Sequence, residues 1–220
     1  MLKKILINGT EIPVPVPIRN LTQAIEWVET TLQKSGQVLT RISINGKSDD
    51  DIATLIAKGG KITFEPTSSL EMQLESPRDL VIQSLETIYN LTRIVQSTIK
   101  QVAVSAWQCS GREIPDGLGG VGEYLELVVA LMEQVSGLMD FSHIDLIALH
   151  GQALLLSNHL AVLATAKSNS DWKKVARILL HRIEGTLKDL ALEAEGLHVR
   201  VLSHPTLDHP GEPVVLLRGK

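Results

Sequence analysis

The sequence predicts an α+β protein that is predominantly helical, and three observations carry that prediction. Residues 1–66 alternate short apolar runs with two-residue turn signals, as strands do. Residues 76–196 keep apolar side chains at helical spacing with few breaks. The hydrophobic share is 44%, yet aromatics make up only 3%, so the core must be built from aliphatic side chains. The expected organisation is an N-terminal domain over 1–66, a linker over 67–76, an antiparallel four-helix bundle over 77–196 and a short C-terminal β-like arm over 197–220.

Lys3 to Asn8 forms an apolar-rich first strand, and Asn8-Gly9 is a strong hairpin signal because both positions tolerate positive φ. The second strand alternates Ile12, Val14, Val16 and Ile18 with three prolines. Proline has no N–H to give a ladder, so this strand belongs at a sheet edge. Asn20 then caps a helix with Gln23 as its capping-box partner, and Leu21, Ala24, Ile25, Val28 and Leu32 share one face. Ser35-Gly36 ends that helix. Val38 to Ile44 is a strand closed by Asn45-Gly46. Ser48 followed by Asp49, Asp50 and Asp51 starts a short helix, since acidic groups suit the positive end of the dipole. That helix stops at Gly59-Gly60, and Lys61 to Glu65 is the last expected strand.

This order of hairpin, helix, strand, short helix and strand resembles the ubiquitin-like β-grasp over about the first 66 residues. The resemblance is one of fold. It implies no activity, because no motif carries one across: Gly59-Gly60 is internal and followed by Lys61, unlike the free C-terminal pair of a modifier or sulfur carrier.

Ser76-Pro77-Arg78-Asp79 gives a cap, a first-position proline and a first-turn acid. The long helix behind it keeps Val81, Leu85, Ile88, Thr92, Val95, Ile99, Val102 and Ala106 at alternating spacings of four and three. A breaker-rich loop over 110–119 follows. The second bundle helix is expected from near Gly122 to Met139, with Leu125, Val128, Leu131, Met132, Val135 and Leu138 inward. The third runs from near Ser142 to Lys167, and the fourth begins after Ser170 or Asp171. Trp172, Val175, Ala176, Leu179, Ile183, Leu187 and Leu190 form its inner face, and Gly196 ends it. Beyond, Leu197 to Leu202 alternates like a strand, and Pro213 to Leu217 is a second apolar run.

Candidate chemistry is sparse. Gly117-Leu118-Gly119-Gly120-Val121-Gly122 spells a dinucleotide fingerprint, but that motif needs a preceding strand and here follows a long helix. On the third helix, His143, His150 and Ser157 fall on one line and Asp145, Gln152 and His159 on another, each at spacing seven; metal ligands on helices sit at three or four. One of these lines is expected to face solvent and the other to lie inside or at the bundle edge. His198, His204, Asp208 and His209 in the tail are read as solvated. Cys109 is the only cysteine, which excludes an internal disulfide and reads as a small apolar filler. No catalytic residue, cofactor or metal is assigned.

The functional expectation rests on surfaces. Ile82, Tyr89 and Trp107 share one flank of the first long helix, away from its core stripe, and are the candidate partner-binding residues. A net charge of −4 gives no surplus of positive charge for nucleic acid or anionic lipid. The longest unbroken apolar run, Leu127 to Met132, is too short to span a bilayer. The first expectation is therefore a cytoplasmic, bacterial-type adaptor or chaperone-like protein, non-enzymatic, that binds another polypeptide through the bundle. Two alternatives are a bundle holding a small apolar ligand or lipid, and an enzyme with a site between the domains. The first long helix outruns its neighbours, so its stripe near Val102, Ala106 and Trp107 needs either the 110–119 loop or a second copy over it, which makes a homodimer the slightly favoured state.

Overall fold

The computed structural model describes residues 2–32, 37–47, 62–65, 68–139 and 146–203. The protein is α+β and mostly helical, with one four-stranded mixed sheet. It divides between Asp79 and Leu80 into two compact units.

The N-terminal unit holds β1 (Leu2–Ile7), β2 (Thr10–Ile18), α1 (Leu21–Leu32), β3 (Val38–Ile44) and β4 (Leu70–Glu75). The sheet order is β2-β1-β4-β3. β1 and β4 run parallel, and the other two pairs are antiparallel. Both expected tight turns form: Asn8 and Gly9 take φ of 49° and 75°, Asn45 and Gly46 take 52° and 75°. The proline-bearing β2 lies at an edge, where its missing N–H groups cost no ladder bonds. Asn20 caps α1 by accepting from the Gln23 N–H at 2.9 Å, while the Gln23 side chain reaches back to the Arg19 N–H at 2.9 Å. Leu21, Ala24 and Val28 of α1 join Ile5, Ile42, Leu70 and Met72 of the sheet in one buried cluster.

Two expectations fail here for one reason. The described residues 62–65 do not join the sheet: Thr63 bridges Asn20, and the Phe64 N–H donates to the Arg19 carbonyl at 2.8 Å. The sheet is completed instead by β4, inside the segment expected as linker 67–76. Leu70, Met72 and Leu74 are buried while Glu71 and Gln73 are exposed, a strict alternation that selects a half-buried strand despite weak β propensity. The turn asparagines hold the chain in place. Asn8 pairs with the Leu74 backbone through both side-chain ends, donating to its carbonyl at 3.0 Å and accepting from its N–H at 2.8 Å. Asn45 accepts from the Ser69 N–H at 2.8 Å.

The helical unit begins within α2 (Pro77–Gln108) and continues with α3 (Leu118–Leu138), α4 (Ile147–Ser168), α5 (Trp172–Ile178), a π turn (Leu179–Ile183) and α6 (Glu184–Ser203). The Ser76 hydroxyl caps α2, accepting from the Asp79 N–H at 3.0 Å. All eight residues of its expected stripe, Val81 to Ala106, are buried, and the seven apolar ones share one cluster with the inner faces of α3, α4, α5 and α6. Asp171 caps α5 by accepting from Lys174. Between α4 and α5, Ser170 takes φ of 53°, and the Asp171 N–H reaches the Ala166 carbonyl, closing α4 with a left-handed cap.

Two boundaries move. α3 begins at Leu118 rather than near Gly122, because Gly117 at φ 76° supplies the cap and three glycines then enter the first turns. α6 runs through Gly196 to Ser203, so the arm does not begin at Leu197. Leu190, Ala194, Leu197 and Val201 are spaced four, three and four apart and all buried, and this helical period outweighs the local alternation. The expected features at Ser35-Gly36, Ser48 to Asp51, Gly59-Gly60, Ser142 to Asp145 and beyond Ser203 lie outside the described residues.

Candidate functional site

The three sequence-picked residues do not form one site. Ile82 is half-buried and packs against the helical core. Tyr89 is half-buried beneath Arg93, whose guanidinium lies 5.6 Å from the ring centroid and donates to the hydroxyl at 3.0 Å. Trp107 is half-exposed under Arg177 of α5, at 5.8 Å. Ile82 and Tyr89 are neighbours two turns apart, but Trp107 is 18 residues beyond Tyr89, on the order of 27 Å along the axis.

A concave feature lies on the other flank of α2, at its C-terminal end. A groove of about 770 Å³ opens between α2, the loop 109–117 and the first turns of α3. The loop is held at several points. The Cys109 thiol donates to the Glu113 carbonyl at 3.1 Å, and the Asp116 N–H donates to the Ser105 hydroxyl at 3.1 Å. The Trp172 indole N–H donates to the Gly111 carbonyl at 2.8 Å, fastening the loop to α5. Pro115 is buried, and Gly117 sits so tightly on α2 that a β-carbon there would be 2.9 Å from Val102 Cγ2. The loop therefore lies over Val102; Val102 and Ala106 are almost fully buried, whereas Trp107 stays 50% exposed.

The groove combines apolar side chains with amides and hydroxyls. Val104, Ile114 and Tyr124 project strongly, at 54%, 61% and 43% exposure. Gln101, Ser105 and Gln108 supply donors and acceptors, and Glu113 and Asp116 supply negative charge. Among the described residues, no Lys, Arg or His lines it. Gly120 also borders it, and the N–H groups of a first helical turn have no intrahelical acceptor. Sequence reasoning singled out the glycine run and Cys109 but did not bring them to one place. The sequence marked the breaker-rich loop over 110–119 as one possible cover for the stripe, but not that its return leaves a groove beside α2 and α3.

Elsewhere the histidine lines separate. His150 is exposed, whereas Gln152 and His159 are half-buried. Burial holds the His159 pKa below its ordinary value, with the Arg182 charge as a second cause. His198 lies on α6, its Nε2 3.3 Å from Glu86 of α2. Among the described residues no group of three His, Cys, Asp or Glu gathers to hold a metal. On α4, Leu149, Leu156 and Leu163 are buried, whereas Ile147, Leu154 and Leu155 are exposed. By length and composition alone α4 is apolar enough to cross a bilayer, which a search for unbroken apolar runs overlooks. No family model matches the chain, and no curated protein or solved structure matches it significantly.

Proposed function

We propose that this protein is a non-enzymatic adaptor or chaperone-like protein that binds another polypeptide through its helical unit. One observation carries the reading. Among the described residues, the strongly exposed large apolar side chains all belong to the helical unit, and three of them border its open groove. Isolated apolar side chains on a surface are ordinary, and nine of these twelve lie away from the groove; the three that border one concavity support an interaction surface there. The groove is open rather than enclosed, which favours a segment of polypeptide over a small apolar ligand sealed from water. The fold reading behind this is a β-grasp-like unit followed by an antiparallel four-helix bundle. The parallel pairing of the first and last strands supports the former, and four long helical segments sharing one aliphatic cluster support the latter.

The test is site-specific photo-crosslinking in the source cell. A photoreactive side chain at position 104, on the groove, is expected to give a discrete adduct whose mass and tryptic peptides identify a polypeptide. The same group at position 173, exposed on α5, serves as the reference. Adducts of equal yield at both positions, or none at 104, would overturn the reading.

A further inference from the structure

We infer that the groove between α2 and α3 takes a basic, aliphatic segment of polypeptide, with Glu113 and Asp116 choosing its charge. The inference rests on the polypeptide-binding reading and adds the chemistry of the partner.

Charge points first. From Glu113 to Met139 the chain carries Glu113, Asp116, Glu123, Glu126 and Glu133 and no Lys, Arg or His. Two of these carboxylates line the groove itself, and among the described residues no basic side chain does so. The nearest basic side chain in sequence, Arg112, is outside the lining, and Lys100 is drawn toward Glu184 of α6 at 3.8 Å. A segment carrying its own acids would meet uncompensated repulsion there, while lysine or arginine would find partners without displacing an existing ion pair. Nucleic acid and anionic lipid headgroups are disfavoured by the same field.

The apolar part of the partner follows from the rim. Val104, Ile114 and Tyr124 are exposed around the groove, so aliphatic side chains entering between them remove apolar area on both partners from water. Tyrosine is well suited to this work, since it offers a large rigid face at low entropic cost. The amides of Gln101 and Gln108 can each both donate and accept, which matches a backbone better than a hydrocarbon chain. The first-turn N–H groups of α3 near Gly120 can donate to a carbonyl of the same segment.

The experiment uses the full chain and three fluorescein-labelled six-residue peptides with amidated ends. Each has four aliphatic residues flanked by two lysines, two glutamines or two glutamates. Fluorescence anisotropy at 50 mM and 300 mM salt is expected to rank lysine, then glutamine, then glutamate, with at least a tenfold gap between the extremes at low salt and a smaller one at high salt. The double variant Glu113→Gln with Asp116→Asn removes exposed charge only, and should weaken the lysine peptide three- to tenfold while leaving the glutamine peptide within twofold. Val104→Asn should weaken both peptides. If the glutamine peptide binds as tightly as the lysine peptide, the charge inference is overturned and the polypeptide-binding reading stands. If no peptide binds at millimolar concentration to protein whose circular dichroism is native, both are overturned.

Discussion

Gly117→Ala should be among the most costly single-methyl additions in the helical unit, and its cost follows from two separate terms. Gly117 takes φ of 76°, a left-handed conformation that disfavours any residue with a β-carbon by about 1–2 kcal/mol. The added methyl would also stand 2.9 Å from Val102 Cγ2, closer than carbon atoms approach, so α2 or the loop must shift. Overpacking of this kind costs about 1–3 kcal/mol, and the sum is on the order of 2–5 kcal/mol. Urea unfolding followed at 222 nm, which reports mainly on the helices, measures it. Gly119→Ala is the matched control. That residue is helical and its added methyl meets open space, so the change should be neutral or stabilising by up to about 1 kcal/mol. A double-mutant cycle isolates the clash. Val102→Ala removes the atom Gly117→Ala would strike, so the pair together should cost about 1 kcal/mol less than the two single changes added. Strict additivity, or equal effects at positions 117 and 119, would refute the claim that this glycine seats the loop on α2.

Three further predictions are independent of the groove. Ser170→Gly should stabilise the helical unit by up to about 1 kcal/mol, seen as a higher urea midpoint with an unchanged slope, because Ser170 holds φ of 53° in the cap of α4. Burial lowers the His159 pKa in the folded protein from 6.5, so on acidification the unfolded chain takes up that proton first; stability should fall as pH drops below about 6.5, and His159→Gln should lose less stability between pH 7 and pH 5 than the native protein. Equal losses in the two would remove His159 from the acid response. A fragment of residues 1–69 lacks β4, the strand between β1 and β3, and should show no folded sheet by circular dichroism, whereas 1–79 should show one.

Much of the fold was legible wherever period and turn chemistry agreed. The α2 stripe, the inner face running from Trp172 to Leu190, the two Asn-Gly turns and the edge position of β2 all follow from local rules that the tertiary structure then uses. Failures came where two local signals competed. At 67–76 the polar run before Leu70 suggested a linker, although Leu70-Glu71-Met72-Gln73-Leu74 already carried the alternation of a strand. At 197–202 the competition went the other way, and a short alternation hid the longer helical spacing from Leu190 to Val201. The π turn at Leu179–Ile183 left only a faint trace, two successive spacings of four among the buried residues Leu179, Ile183 and Leu187.

The candidate site was less legible than the fold, and the reason is geometric. A helical projection ranks residues by angle around one axis and discards distance along it. It therefore grouped Tyr89 with Trp107, which occupy the same flank but separate neighbourhoods with different arginines. The groove depends instead on a loop returning over the end of a helix, and its parts lie at ordinary angles on α2 and α3. What unites them is one chain reversal: Cys109 and Ser105 bond the loop backbone, Trp172 anchors it from α5, and Gly117 lets it lie against Val102. Cys109, Gly117 and Trp172 were visible in the sequence as a filler, a breaker and a core aromatic, and Val102 as part of the stripe, but Ser105 was not. Their joint consequence is that the loop covers the aliphatic stripe at Val102, yet leaves Val104, Ile114 and Tyr124 outward around a negatively charged groove. The same reversal that completes the core thus creates the surface on which the proposed function depends, and a change that loosens the loop should alter stability and peptide affinity together.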